Sequence, residues 1–484
     1  MKRVALILSM LLTGCAVGPR YERPQAPGEG AGKPVAFVDP GVTKVATGPA
    51  EGQWWRLFRD PALDRLVRDA LTYNTDVRQA SANLRRARAL LSESRTGRLP
   101  TTNLSAGYTR QRVGAEQLGT QGGASGGTGG ITGFEFDYFT VGLDAAYEVD
   151  LFGRVSRSVE AARADAGAAA AALDGARVAV AAETARTYAQ ACSFAAQAEV
   201  ARETARLQDR TLDLTRRLAE AGRGTRRDVD QAVVLAERAR ASVPTYEAER
   251  RSALYALATL TGRTPAEVDA DASQCRTPPA VTTLIPVGDG AALLARRADV
   301  REAERTLAAE TARIGVATAA LFPSIKLMGS VSLGATDIDN LGKASSFNFS
   351  AGPLISWSFP NIGVARARIK QARASADASL AVFDGTVLTA LKEVEQALAR
   401  YAAAIEANGG LRRAEAAASS AARIAELRFN EGRDSFLQRL DAERDRATAR
   451  GALAQSDADL AEAQVALFKA LGGGWEGAGQ PERR

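Results

Sequence analysis

Long stretches of the chain interleave Ala and Leu with Arg, Glu and Gln, and four short stretches alternate apolar and polar residues one by one. The first pattern occupies residues 61–97, 154–262, 289–320 and 364–471 and is built from strong helix formers. Two of the predicted helices, roughly 154–221 and 361–430, are very long; at 1.5 Å per residue each extends about 100 Å. No compact globular core needs such a helix, so the pattern predicts a coiled coil or an elongated tube. The second pattern is clearest where Phe347, Phe349, Ala351, Pro353, Ile355, Trp357 and Phe359 alternate with Asn348, Ser350, Gly352, Leu354, Ser356 and Ser358. Val141, Leu143, Ala145, Tyr147 and Val149 alternate likewise with Gly142, Asp144, Ala146, Glu148 and Asp150. A period of two with aromatics on the apolar face predicts strands. Leu104–Arg112 and Ile325–Leu333 are weaker partners, giving four strands at about 101–113, 134–150, 325–334 and 346–359.

The pattern occurs twice. Asp76-Val77-Arg78 returns as Asp299-Val300-Arg301, and Leu99-Pro100 returns as Phe322-Pro323 at the same offset. Gly142, Tyr147 and Gly153 match Gly352, Trp357 and Gly363; Ala221-Gly222-Arg223 and Ala232 match Glu431-Gly432-Arg433 and Ala442. Each half reads helix, strand, loop, strand, long helix, turn, helix. The expected domains are a first repeat, 61–262, with long helices at about 154–221 and 225–262, and a second, 289–471, with long helices at about 361–430 and 435–471. Residues 263–288 link them, 472–484 form a tail, and 15–60, rich in Pro and Gly, form an extended arm docked by Trp54-Trp55. The hairpin loop 114–133, dominated by Gly, Thr, Ser and Gln, suits a flexible outer loop; its counterpart, 335–345, is shorter.

The N-terminus changes where these elements must work. Lys2 and Arg3 precede an apolar run, Val4–Leu12, and Leu12-Thr13-Gly14-Cys15 closes it. This is the layout of a secretory signal, residues 1–14, too short to cross a bilayer as a helix. Leu-Thr-Gly-Cys resembles the lipobox of bacterial lipoproteins, which makes Cys15 the acylated first residue of the mature chain. Ala16 follows it, with no Asp there to argue for inner-membrane retention. The expected location is the outer membrane, with the chain extending into the periplasm. One lipid chain binds only marginally, so a second membrane contact is expected.

Composition removes most chemistry. There is no His, which takes away the commonest general base and metal ligand, and the only Cys are Cys15, Cys192 and Cys275. No metal site is expected, no P-loop and no nucleophile elbow occurs, and no cofactor is implied beyond the covalent lipid on Cys15. A hydrolase is thereby disfavoured; carboxylate-only catalysis stays open, though no convergent pair stands out. The net charge of +6 comes from Arg spread beside Glu and Asp along helices, without a basic block, so nucleic acid is not an expected partner. After the signal there is no apolar run long enough for a membrane-spanning helix.

A chain that crosses the membrane must then do so as a closed barrel. The alternating strands fit, apolar towards lipid and polar towards a lumen. Four strands of a small soluble sheet are the other reading, and the outer-membrane tether favours the barrel. Four strands cannot close a barrel, and open edges are not tolerated in lipid. Three copies sharing one barrel supply twelve strands, continued by a ring of Ala-rich helices.

This layout is similar to the TolC-like outer-membrane efflux channel family, specifically its lipoprotein (NodT-type) branch. The resemblance is carried by Cys15-Ala-Val-Gly-Pro-Arg-Tyr21, Tyr147-Glu-Val-Asp-Leu-Phe-Gly-Arg154, Leu321-Phe-Pro-Ser324, Leu440-Asp-Ala-Glu-Arg444 and Lys469-Ala-Leu-Gly-Gly-Gly-Trp475, in this order over nearly the whole mature chain. It implies a homotrimeric channel, mainly α with a small β part: a twelve-stranded barrel in outer-membrane lipid above an α-helical periplasmic barrel. It also implies a periplasmic adaptor (membrane fusion) protein and an inner-membrane transporter as partners.

The family's periplasmic gate pattern, Leu-x-x-x-Asp-x-x-Arg, falls on Leu437, Asp441 and Arg444. Positions i, i+4 and i+7 share one helix face, so all three can point into a pore. A Leu ring closes a pore by dewetting and a carboxylate ring favours cations. Glu443 stands where the family usually has Gln, adding a negative charge. The bland alternative packs Leu437 in the helix layer and leaves Asp441 and Arg444 as surface pairs. The turns Gly222-Arg223-Gly224-Thr225 and Gly432-Arg433-Asp434-Ser435 suit helix ends and N-caps, and the resemblance makes them the tip touched by the adaptor. Cys192 lies about 45 Å along its helix from the Gly222 turn. Cys275 follows the end of the return helix at a similar height, so an oxidising compartment allows a disulfide between them.

The leading reading is a passive exit duct for small toxic compounds, performing no covalent chemistry. The alternatives are the same duct serving protein or peptide secretion, and a periplasmic coiled-coil adaptor or structural protein. An adaptor would lack four amphipathic strands in a duplicated plan.

Overall fold

The computed structural model describes residues 16–25, 27, 45–46, 48, 52–113, 134–288, 290–360 and 362–473. The signal segment, Cys15, the loop 114–133 and residues 474–484 of the tail lie outside the described residues. In chain order the strands are β1 (Val45–Ala46), β2 (Thr101–Val113), β3 (Phe134–Val149), β4 (Ile285–Pro286), β5 (Ser324–Ala335) and β6 (Phe347–Ser356). The helices are α1 (Pro61–Tyr73), α2 (Thr75–Thr96), α3 (Arg154–Glu220), α4 (Arg226–Leu260), α5 (Ala270–Gln274), α6 (Gly290–Arg296), α7 (Ala298–Ala319), α8 (Ile362–Asn430) and α9 (Phe436–Ala470). The described residues form two compact units, one from those within 1–23, 86–166 and 305–380, the other from those within 24–85, 167–304 and 381–484.

The first unit carries a four-stranded antiparallel sheet in the order β2-β3-β5-β6. Register sorts the side chains by face. Leu104, Leu143, Val331 and Phe349 stand directly opposite one another, as do Ala106, Val141, Leu333 and Phe347. The intervening rows are polar, such as Asn103, Asp144, Ser330 and Ser350. The apolar face is uncovered in the single chain: Leu104 is 74% and Phe349 75% exposed. Among the described residues β2 and β6 have no second strand partner, so both edges of the sheet are open.

Periodicity extends the last strand to 359, but pairing stops at Ser356, opposite Ser324. The partner strand begins there, after Pro323, so the ladder runs out. Trp357 and Phe359 stack on each other beyond it, 4.9 Å between ring centroids, and Trp357 Nε1 donates to the Leu321 carbonyl.

Two predicted helices are also broken. The 61–97 helix is divided at Asn74, whose backbone is extended and whose side chain accepts from the Asp76 amide (2.8 Å) and donates to the Leu260 carbonyl (3.0 Å). The 289–320 helix is divided at Arg297. Both breaks stand just before the duplicated Asp-Val-Arg, so they belong to the repeat.

In the second unit, Trp54 is fully buried in a short 3-10 turn, stacks on Phe468 at 4.9 Å and donates from Nε1 to the Gly473 carbonyl (3.2 Å). Leu63, Leu66 and Val67 of α1, Leu257 of α4 and Leu467 and Leu471 at the end of α9 close around it. β1 pairs in parallel with β4, so the arm contributes a strand to the linking segment. An aromatic cluster of this size buries enough apolar area to hold the arm against the end of α9.

Candidate functional site

The α3–α4 and α8–α9 turns have the same construction. Gly222 and Gly432 sit at φ +72° and +73°, a left-handed conformation that glycine adopts without strain. At the first, the Arg223 amide reaches back to the Leu218 carbonyl (2.8 Å) and the Gly222 amide to Ala219 (3.0 Å). At the second, Arg433 reaches Arg428 and Gly432 reaches Phe429, both at 2.9 Å. This pattern satisfies carbonyls that a helix end otherwise leaves without partners. The next helix then starts on a capping box: Thr225 with Asp228, and Ser435 with Gln438. Hydrogen bonds to the Thr225 backbone and side chain hold the Asp228 carboxyl below its ordinary range. Asp434 is also tied, accepting from Arg428 Nε at 2.9 Å. Arg223 and Arg433 are exposed.

On α9, Leu437, Asp441 and Arg444 share one exposed face; Leu437 is 64% exposed. Asp441 and Arg444 pair at 3.5 Å, and Arg444 also lies 3.8 Å from Asp445. Glu443 points the other way. It is buried and accepts from Arg446 Nη2 at 2.9 Å, so its charge is spent inside the helix layer. The pair is drawn together by the i, i+3 spacing on one face.

Two ionic clusters lay outside the reading of motifs. Arg450 on α9 pairs with Glu203 of α3 (2.8 Å) and Glu415 of α8 (3.3 Å), joining three helices. Burial would pull the Arg450 guanidinium down, and the two carboxylates more than offset this. Arg297, buried, donates to Asp299 at 3.0 and 2.7 Å, to Glu393 at 2.7 Å and to the Ala470 carbonyl at 2.9 Å. Burial alone would push the Asp299 carboxyl up; Arg297 overrides it and holds the carboxyl below its usual range. The only advance signal was the repeat, which marks Asp299 but not its partners.

Cys192, fully buried on α3, is disulfide-bonded to Cys275 at the end of α5, with Cα atoms 5.1 Å apart. Among the described residues no group of His, Cys, Asp and Glu could hold a metal ion, and no helix is long and apolar enough to cross a membrane.

The profile of the outer membrane efflux protein family matches residues 66–263 and 291–473. The chain belongs to this family. It is 32% identical over 478 residues to the toluene efflux pump outer membrane protein TtgF of Pseudomonas putida, covering 98% of this chain and 97% of the relative. Nodulation protein T of Rhizobium leguminosarum bv. viciae is 30% identical over 472 residues, covering 97% and 93%. Among solved structures the outer-membrane channel OprN is 36% identical, with a TM-score of 0.85 over 95% of this chain and 100% of that one. The protein is thus an outer-membrane channel component of an efflux system that extends into the periplasm, with the duplicated helix-and-strand plan of the efflux channels.

Proposed function

We propose that three copies of the chain close one twelve-stranded barrel and form a passive exit duct for small toxic compounds. The observation that carries this reading is the sheet. Among the described residues its apolar face is exposed and both edges are open, which lipid tolerates only when further strands complete the ring. Leu437, Asp441 and Arg444 of the three copies form the gate at the periplasmic end, supported by their shared exposed face. The two capped turns form the tip that an adaptor protein touches, with an inner-membrane transporter supplying the energy. Cys15 carries lipid that anchors the mature chain. The duct performs no covalent chemistry. TtgF is named for toluene efflux, so apolar solvents belong in the cargo panel with dyes, antibiotics and metal ions.

The test is intracellular accumulation of that panel in a deletion strain and in the same strain complemented with this chain. Higher accumulation of particular compounds in the deletion strain is the expected result and names the cargo. Equal accumulation throughout, with the protein present in the outer membrane, would overturn the efflux reading for those compounds.

A further inference from the structure

The apolar face of the sheet ends in charge at one end only of its first hairpin. β2 starts after α2 and β3 ends before α3, so the tip of the β2–β3 hairpin lies at the end of the sheet remote from these helices. In a channel that extends into the periplasm, that end faces the cell exterior. Along β3 the residues of the apolar face are Val149, Tyr147, Ala145, Leu143, Val141 and Phe139. None of these six rows carries a charged residue on any of the four strands, whereas the opposite face carries Asp144, Glu148 and Lys326. Phe139 and Tyr108, with ring centroids 5.0 Å apart, make the last uncharged row. Two charged rows follow on the same face: Arg110 opposite Asp137, then Arg112 opposite Glu135. They belong to β2 and β3 alone, because the pairing of β3 with β5 ends at Phe139 and Ala335.

Val149 and Phe139 are ten positions apart on β3. At about 3.4 Å per residue and a strand tilt of about 40°, the uncharged band is about 26 Å tall. That is the height of the apolar band of an outer-membrane barrel, about 25 Å. The charged rows then stand about 5 and about 10 Å above it, at headgroup depth and on the side that faces lipid. A cation on that side is costly at the midplane and nearly free at the interface. Arg110 lies 3.0 Å from Glu135 and 4.0 Å from Asp137, and the Tyr108 hydroxyl donates to Asp137 at 2.8 Å. Both carboxylates are therefore engaged within the hairpin. Glu135 is turned to Arg110 although Arg112 stands directly opposite it. Arg112 is exposed, and no described residue forms an ion pair with it.

We propose that Arg112 of each copy holds a phosphate of the lipopolysaccharide in the outer leaflet, with the Arg110–Glu135–Asp137 cluster as the rim of the site. The occupant is a lipid with phosphates on its sugar head, because the cation stands on the lipid side of the wall, just above the apolar band, where acyl chains end and headgroups begin. A guanidinium offers a phosphate two parallel N–H donors. The carboxylates, held by Arg110 and Tyr108, do not compete for Arg112. The site rests on the proposed barrel, since only a sheet closed in lipid turns this face towards a headgroup.

The experiment is titration of the purified full-length assembly with diphosphorylated lipid A, followed by native mass spectrometry. Dephosphorylated lipid A and phosphatidylglycerol are run beside it, and inorganic phosphate is added as a competitor. Wild type should prefer the diphosphorylated lipid. Arg112→Ala should weaken its binding about fivefold, the contribution of one Arg near an anionic lipid surface. Arg112→Lys, which keeps the charge without the fork, should fall between the two. Lys326→Ala removes the same charge from the opposite face of the sheet and should bind as wild type does. Unchanged binding by an assembled Arg112→Ala, or an equal loss in Lys326→Ala, would overturn the proposal. So would a wild type that holds dephosphorylated lipid A or phosphatidylglycerol as tightly, or that gives up lipid A to millimolar inorganic phosphate; these comparisons need no variant to assemble. The barrel is judged separately, by trimers and by conductance in a planar bilayer. A wild type with neither would sink the barrel reading, whereas a conducting trimer that fails the lipid comparison sinks the lipopolysaccharide site alone.

Discussion

Breaking the Cys192–Cys275 bridge should lower the melting temperature of the assembled protein by about 4 °C. Cys192→Ala with Cys275→Ser is the suitable change, because Cys192 is fully buried and tolerates only a small apolar replacement, whereas Cys275 is partly exposed. The bonded residues are 83 apart in sequence, and the loop they close holds the end of α3, the Gly222 turn and all of α4. For a loop of this length the chain-entropy relation gives about 15 cal/mol/K, or about 4.5 kcal/mol at 25 °C, gained by restricting the unfolded chain. Unfolding entropy of about 2.1 cal/mol/K per residue over 484 residues is about 1 kcal/mol/K, which sets the size of the shift. Three bridges in three chains leave the ratio unchanged. The assay is thermal unfolding of the detergent-solubilised assembly followed by Trp fluorescence, with and without reductant. Reductant should lower the wild type to the level of the double variant and leave the variant alone. Helix content should not change, since the effect acts on the unfolded state. A melting temperature within 1 °C of wild type, or free-thiol labelling of Cys192 in the oxidised protein, would refute the reasoning.

Trp54→Ala removes the centre of the aromatic cluster and should cost about 3–5 kcal/mol, read as a lower melting temperature and as proteolytic release of the arm. Gly222→Ala and Gly432→Ala should each cost about 1 kcal/mol by forcing a Cβ into the left-handed region, and Thr225→Ala and Ser435→Ala about the same by removing a cap. Cross-linking to an adaptor should weaken along with them, and unchanged cross-linking would remove the tip from the docking surface. Arg444→Ala removes the partner of Asp441 on the exposed face of α9 proposed as the gate. The exposed pair is worth under about 1 kcal/mol, so melting should hardly move while single-channel conductance rises and turns cation-preferring; unchanged conductance would count against the gate. The depressed Asp299 carboxyl stabilises the fold at pH values above its unfolded pKa of about 3.9, and that contribution disappears as pH falls through the lower folded value. Melting should therefore be flat from pH 8 to 5 with respect to this group and fall below about pH 4, and Arg297→Met should flatten the acid limb.

Local pattern determined a great deal here. An uninterrupted supply of Ala, Leu, Arg and Glu commits α3 and α8 to long helices, because each residue adds a hydrogen bond once the helix is nucleated. Strict alternation sorts β3 and β6 into two faces, because successive side chains in a strand point opposite ways. The duplicated Gly turns, each followed by Thr or Ser, announce where the helices reverse. Tertiary structure decided the rest. The breaks at Asn74 and Arg297 depend on side chains that reach distant carbonyls, Leu260 and Ala470, which no local propensity reports. β6 stops at Ser356 because its partner does. Glu443 is turned inward to Arg446 while Asp441 and Arg444 stay on the open face, a division made by which side of α9 meets its neighbours. Val45–Ala46 pair with Ile285–Pro286, and Val17 and Gly18 lie on Arg157, across long separations in sequence. Periodicity tells which residues share a face; only the packed chain tells what that face meets, because contacts between distant segments are set by geometry that no single segment contains.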